Sequence, residues 1–251
     1  MSIASAASIS IALCAAMLLC LETGYRLAHY YRGELTQDGL GLFQGAIFAL
    51  LGLLLGFAFA GSMARLEARR DLIVREANAI NTAYLRIDVL PSTVQPEMRN
   101  LFHTYLEARL HAYNDLDSGR DFEPSMMKAS LLQQQIWAEA VEATRQDTAG
   151  RALVLLSLNE MIEVSTARAV ALRTKLPTLI LVLLLGVALL TSLLAGYGMA
   201  KSGHRHLFHG AIYAVAVSLT IYVVLDLDNP RSGLIRLDAA EKVLMQLQRA
   251  I

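Results

Sequence analysis

The residues from Leu40 to Met63 read LGLFQGAIFALLGLLLGFAFAGSM, without one charged side chain. A helix needs about 20 such residues to cross roughly 30 Å of hydrocarbon. In lipid every backbone N–H and C=O must find its partner inside the protein, so a run of this kind is expected to be helical. Ser8 to Leu27, Pro177 to Met199 and Leu207 to Leu225 are comparably long and apolar. The chain therefore reads as an all-α, four-span transmembrane protein, with two spans on each side of a charged middle. Hydrophobic residues make up 55% and charged residues only 18%, against about 25% charged in soluble domains. A formal net charge of zero argues against a nucleic-acid partner, which calls for a basic surface.

The first span reads as retained rather than cleaved. No Lys or Arg precedes it and the first basic residue is Arg26, whereas a secretory signal has a positive start and a shorter apolar core. Met17, Leu18 and Leu19 are too bulky for a lipoprotein cleavage site ahead of Cys20. Cys14 and Cys20 share this span without metal-ligand spacing, and read as buried thiols.

Basic residues near the span ends set the expected orientation. Arg65, Arg69, Arg70 and Arg75 follow the second span, and Arg168, Arg173 and Lys175 precede the third. The opposite connections hold Arg26, Arg32, Lys201 and Arg205. The balance places the middle and both termini in the cytoplasm. The expected divisions are residues 1–64 for spans one and two, 65–176 for a helical cytoplasmic region, 177–226 for spans three and four, and 227–251 for a cytoplasmic tail.

In the middle region Leu66, Ile73, Ala77, Ile80 and Tyr84 recur at helical spacing. No loop signal separates them from Met63, so the second span is expected to continue as one rod to Val89-Leu90-Pro91. Pro91 and Pro96 bracket a turn. Further helices are expected over Glu97–Asp117, over Pro124–Asp147 with the only Trp, Trp137, and from Gly150 toward Lys175. That is enough for a helical bundle. No phosphate loop, dinucleotide fingerprint or His-Glu-x-x-His helix is present, and the chain reads as a non-enzyme without cofactor.

Gly41, Gly45, Ala49, Gly52, Gly56 and Ala60 form a small-residue stripe on the second span, suited to close helix approach. It fits packing within one chain, or packing between subunits or beside a pore. Phe43, Ile47 and Leu51, with Leu54 and Ala58, point elsewhere. They fit an apolar constriction that gates by dewetting, or a face toward lipid. Glu22, near the outer end of the first span, is a site candidate or a snorkelling surface group. Asp226, Asp228 and Arg231 fit a charged vestibule or a salt-bridged turn. His204, His206 and His209 supply imidazoles for a metal, but Lys201 and Arg205 crowd them and no fourth ligand stands out. Glu76, Glu160 and Glu163 lie on amphipathic helices, where charge pairing is commoner than catalysis.

Two segments, Arg75-Glu76-Ala77-Asn78-Ala79-Ile80-Asn81-Thr82-Ala83-Tyr84-Leu85-Arg86 with Leu90-Pro91, and Leu225-Asp226-Leu227-Asp228-Asn229-Pro230-Arg231-Ser232-Gly233-Leu234-Ile235-Arg236, resemble a bacterial family of bestrophin-like domain proteins. The span layout extends the resemblance over nearly the whole chain. It implies a distant similarity to bestrophins, oligomeric anion channels with a central pore and a helical cytosolic part. By that resemblance the chain is a homo-oligomeric ion channel of the bacterial inner membrane. Its partners would be copies of itself, lipid and small inorganic ions. The second span would line the pore, with Phe43, Ile47 and Leu51 at the neck, although no residue-level motif carries that placement. Asp226 and Asp228 sit awkwardly in an anion path, which leaves selectivity open. The competing class is a membrane scaffold or sensor whose cytoplasmic helices bind a protein partner.

Overall fold

The computed structural model describes residues 3–30, 37–117, 120–201, 207–228 and 238–251. Among them the regular structure is helical throughout: α1 Ile3–Tyr30, α2 Gln37–Leu85, a 3-10 turn Arg86–Val89, α3 Gln95–Asp117, α4 Glu123–Ala143, α5 Thr148–Arg173, α6 Thr178–Lys201, α7 Leu207–Leu227 and α8 Asp238–Ala250. Four of these helices carry segments long and apolar enough to cross a membrane. They correspond to α1, the first part of α2, α6 and α7.

The chain folds as two compact units. The first comprises Met1–Leu66 and Lys175–Ile235, the second Glu67–Thr174 and Arg236–Ile251. In the first unit, α1 and α6 approach through glycines. A Cβ on Gly24 would strike the Leu193 carbonyl, and one on Gly196 would strike the Leu21 carbonyl. Backbone offers no easy retreat, so both positions require glycine for this contact. Gly210 on α7 makes room for the Leu21 side chain. The core beside this crossing joins Leu13 and Met17 of α1, Leu51 of α2, Ala188 of α6, and Val217, Ile221 and Leu225 of α7.

The second unit is an amphipathic bundle. Leu66, at the edge of the first unit, and Ile73, Ala77, Ile80 and Tyr84 are all buried, as their spacing predicts. α2 continues without interruption to Leu85, and the 3-10 turn then ends at Leu90, whose N–H donates to the Ile87 carbonyl over 2.9 Å. α4 stops at Ala143, four residues before the expected end. Asp147 is used instead to cap α5, its carboxylate accepting the Gly150 N–H at 3.0 Å. This moves the start of α5 from Gly150 to Thr148. The expected tail contains α8, on which Leu244 and Leu247 are buried, and Tyr84 donates to the Ile251 carbonyl at 3.0 Å.

Candidate functional site

Three groupings carry functional interest: the apolar part of α2, the carboxylates near the helix ends of the first unit, and a buried charge cluster in the second unit.

On α2 the small-residue stripe is open. A Cβ on Gly41, Gly45, Gly52 or Gly56 would meet nothing within 4 Å. The close intrachain approach uses Gly24 and Gly196 instead. The proposed constriction residues separate. Phe43 is 73% exposed, Ile47 is half-buried, and Leu51 is 2% exposed inside the first unit's core. Leu51 shares that core with residues of α1, α6 and α7. Ala58 is buried likewise, beside Leu184 and Val224. The exposed apolar residues of this span include Phe43, Leu50 and Phe57. They stand seven residues apart, two helical turns each, and so form one line along the helix. Gln44 ties α2 to α6, its amide donating to the Leu194 carbonyl at 2.6 Å where Gly198 leaves room.

Glu22 is paired within its own helix, accepting from Arg26 Nε at 2.8 Å. Asp228, 5% exposed, accepts from Arg65 Nε at 2.8 Å and from the Leu176 N–H at 2.6 Å. Arg65 also donates to Ser62 Oγ at 2.7 Å. One carboxylate thus joins the start of the third span to the end of the fourth and to α2. The Arg65 partnership was not anticipated from sequence, because 163 positions separate the pair. Asp226 is buried too, while Arg231 lies outside the described residues, as do His204 and His206. His209 packs edge-on against Phe208. Among the described residues no group of three His, Cys, Asp or Glu is placed to hold a metal.

The second unit contains the most enclosed charges. Glu76 is fully buried, Arg109 is 3% exposed and Arg168 is 2% exposed. Glu76 Oε1 accepts from Arg109 Nε at 2.8 Å and from Arg109 Nη2, and its Oε2 accepts from Arg168 Nη1 and from the Tyr113 hydroxyl at 3.1 Å. The Arg168 guanidinium lies 3.6 Å from the centre of the Tyr113 ring, an attractive arrangement for a cation. Burial alone raises the Glu76 carboxyl, but Arg109 and Arg168 override it and hold the group below its ordinary value. Burial and then Glu76 push the Tyr113 hydroxyl upward, and Tyr105, buried beside them, is pushed up to about 12. Arg109 is held charged: burial works against its proton, but Tyr113 and Glu76 retain it. Glu160 and Glu163 are exposed. The sequence signal for Glu76 was its place one residue before Ala77 on the buried stripe, a position where a carboxylate needs cations.

The bestrophin-like domain model matches residues 11–241. The chain belongs to the bestrophin-like family. Its fold is similar to crystal structures of a bacterial bestrophin homologue from Klebsiella pneumoniae. One variant has a TM-score of 0.70 at 15% identity, covering 96% of this chain and 98% of that one. Another has a TM-score of 0.68 at 15% identity, covering 95% and 97%. A structure described as a membrane protein variant gives 0.69 at 16% identity, covering 96% of both chains. The comparison with curated proteins gave no match. At these identities the likeness is one of fold.

Proposed function

We propose that the chain is one subunit of a homo-oligomeric channel for small inorganic ions in the bacterial inner membrane, with α2 facing the conduction axis and both termini cytoplasmic. The observation that carries this reading is the state of α2. Its apolar window is only 11% buried, against 28%, 28% and 50% for the other three. Its glycine stripe meets nothing within the chain. A stripe built for close approach and left open by its own subunit is suited to a neighbouring copy. The family and the fold of the bacterial homologues support the same reading.

In this reading Phe43, with the half-buried Ile47, stands at the constriction, and Leu50 and Phe57 extend the apolar line. Gly45, Gly52 and Gly56 face the adjacent subunit. Glu22 and Asp226 are charged groups near the path ends, and Asp228 is a structural anchor through Arg65. Ion type is left to measurement.

The test is ion flux from liposomes containing the purified full-length protein, together with its particle mass in detergent. Phe43→Ala and Phe57→Ala are expected to change flux while leaving assembly intact. Gly52→Leu with Gly56→Leu is expected to break assembly. A monomeric particle without flux refutes the channel reading.

A further inference from the structure

Leu244 and Leu247 are buried on α8, the helix that packs against α3 in the second unit. The two helices do not close fully, and a groove of about 340 Å³ runs between them. Its α3 wall carries Glu107, His111 and Asn114, spaced by four and three residues and so on one face of the helix. Gln248 lines it from α8, and Leu110, Leu244 and Met245 supply apolar surface. Tyr113 lines it too, with its hydroxyl committed to Glu76 at 3.1 Å and to Arg109. Among the described residues the side chains of Glu107, Asn114 and Gln248 have no hydrogen-bond or ion-pair partner. For Glu107 the sequence explains this. The positions three and four residues away on α3 are His103, Thr104, Leu110 and His111, so no Lys or Arg stands within helical reach. Lys242 and Arg249 of α8 do not line the groove, nor do the buried Arg109 and Arg168.

We propose that the groove between α3 and α8 binds a small organic cation, an ammonium group on an apolar body of about ten non-hydrogen atoms. Glu107 supplies the one carboxylate of the lining and receives the ammonium. Asn114 and Gln248 offer carboxamide oxygens to its remaining N–H groups. Leu110, Leu244 and Met245 take the apolar body out of water. A bare metal ion matches this lining less well: the room far exceeds one ion, and only Glu107 and His111 are of types that commonly ligate. An organic anion meets Glu107 as a like charge. A bound cation touches both helices and so ties α8 to α3. The proposal does not depend on the channel reading, because its test measures binding rather than current.

The experiment is calorimetric titration of the full-length protein in detergent with phenethylamine, and in parallel with phenethyl alcohol, phenylacetate and zinc chloride. The amine is expected to bind with a Kd on the order of 1 mM or tighter. Glu107→Gln should weaken the amine roughly fivefold and leave the alcohol unchanged. Met245→Trp should fill the groove and abolish saturable binding. Both altered residues are exposed, so the ligand-free variants should melt as the unaltered protein does. Uptake of amine by the detergent is common to all three proteins and cancels between them. Amide hydrogen exchange in α8 should slow with the amine in the unaltered protein and not in Met245→Trp. Absence of saturable amine binding, equal affinity for the alcohol or phenylacetate, tighter binding of zinc through Glu107, or amine binding retained in Met245→Trp overturns the proposal.

Discussion

Replacing Glu76 by Gln preserves the shape of the buried cluster and removes its only carboxylate. With charge centres about 4 Å apart and an effective dielectric near 20, each Arg–Glu attraction is worth roughly 4 kcal/mol. Two pairs therefore lose about 8 kcal/mol gross. Relief from desolvating the carboxylate returns several kcal/mol of this, and the remaining carbonyl still accepts hydrogen bonds. The net cost lands near the 3–5 kcal/mol typical of stranding a buried charge. That is a large share of the roughly 5–15 kcal/mol by which domains are stable. Trp137 is half-buried beside Ser130, Gln133, Gln134 and Ile162, so its fluorescence reports on the unit that holds the cluster. With a urea slope of about 2 kcal/mol per molar, the midpoint should fall by roughly 2 M. The triple replacement Glu76→Met, Arg109→Met and Arg168→Met should recover much of the loss, since no charge is then stranded. A Glu76→Gln shift below about 0.5 kcal/mol, or a triple variant weaker than the single one, refutes the electrostatic account.

The remaining tests separate the two units. Gly196→Ala places a Cβ against the Leu21 carbonyl and should cost about 1–3 kcal/mol through overpacking, whereas Gly52→Ala meets no atom of its own chain; thermal melting of the detergent-solubilised protein compares them. Arg65→Met removes the Nε donor to Asp228 while the Leu176 N–H contact stays, and should cost roughly 1–3 kcal/mol, below a fully buried pair because Arg65 is 23% exposed; adding Asp228→Asn should recover part of it in a double-mutant cycle. At low pH, the unfolded chain takes up the Glu76 proton first because the folded carboxyl titrates below 4.5. The stability it contributes is therefore complete above the ordinary carboxylate range and lost as pH falls through the lower folded value. At high pH, Tyr105 ionises near 10 when unfolded and about 12 when folded, so a contribution on the order of 2–3 kcal/mol is present below pH 10 and lost toward pH 12. Phenolate absorbance recorded with unfolding checks that window.

The helices were legible because their signals are local. Leu40 to Met63 declares its helix by length and lack of charge, and Leu66, Ile73, Ala77, Ile80 and Tyr84 declare a buried face by spacing. α8 was hidden in a stretch read as a tail. Leu244 and Leu247 stand three residues apart on a helix of 13 residues, too short a repeat to outweigh the charges around it. The long-range pairs were not legible. Nothing local distinguishes Arg65 as the partner of Asp228 from Arg231, three residues beyond that carboxylate.

α2 shows why a candidate constriction is harder to read than the fold. Its two faces are both apolar, so hydrophobicity alone does not say which meets the chain's own core and which meets a neighbour. Small size at Gly45, Gly52 and Gly56 marks where backbones are able to approach, but the intrachain approach uses Gly24 and Gly196. Leu51 and Phe43 lie eight residues apart on related sides of the helix, and one is sealed while the other is open. The difference comes from α1, α6 and α7, which reach Leu51 through Met17, Ala188 and Ile221. A pore-lining assignment for α2 therefore depends on which surface the other three spans leave uncovered. That surface carries Phe43, Leu50 and Phe57, and cysteine accessibility along this line, measured in assembled protein, is where the channel reading meets its most direct trial. Water-accessible thiols at all three positions support an axial line; thiols shielded by lipid there, with Leu51→Cys reactive instead, reverse the assignment of the faces.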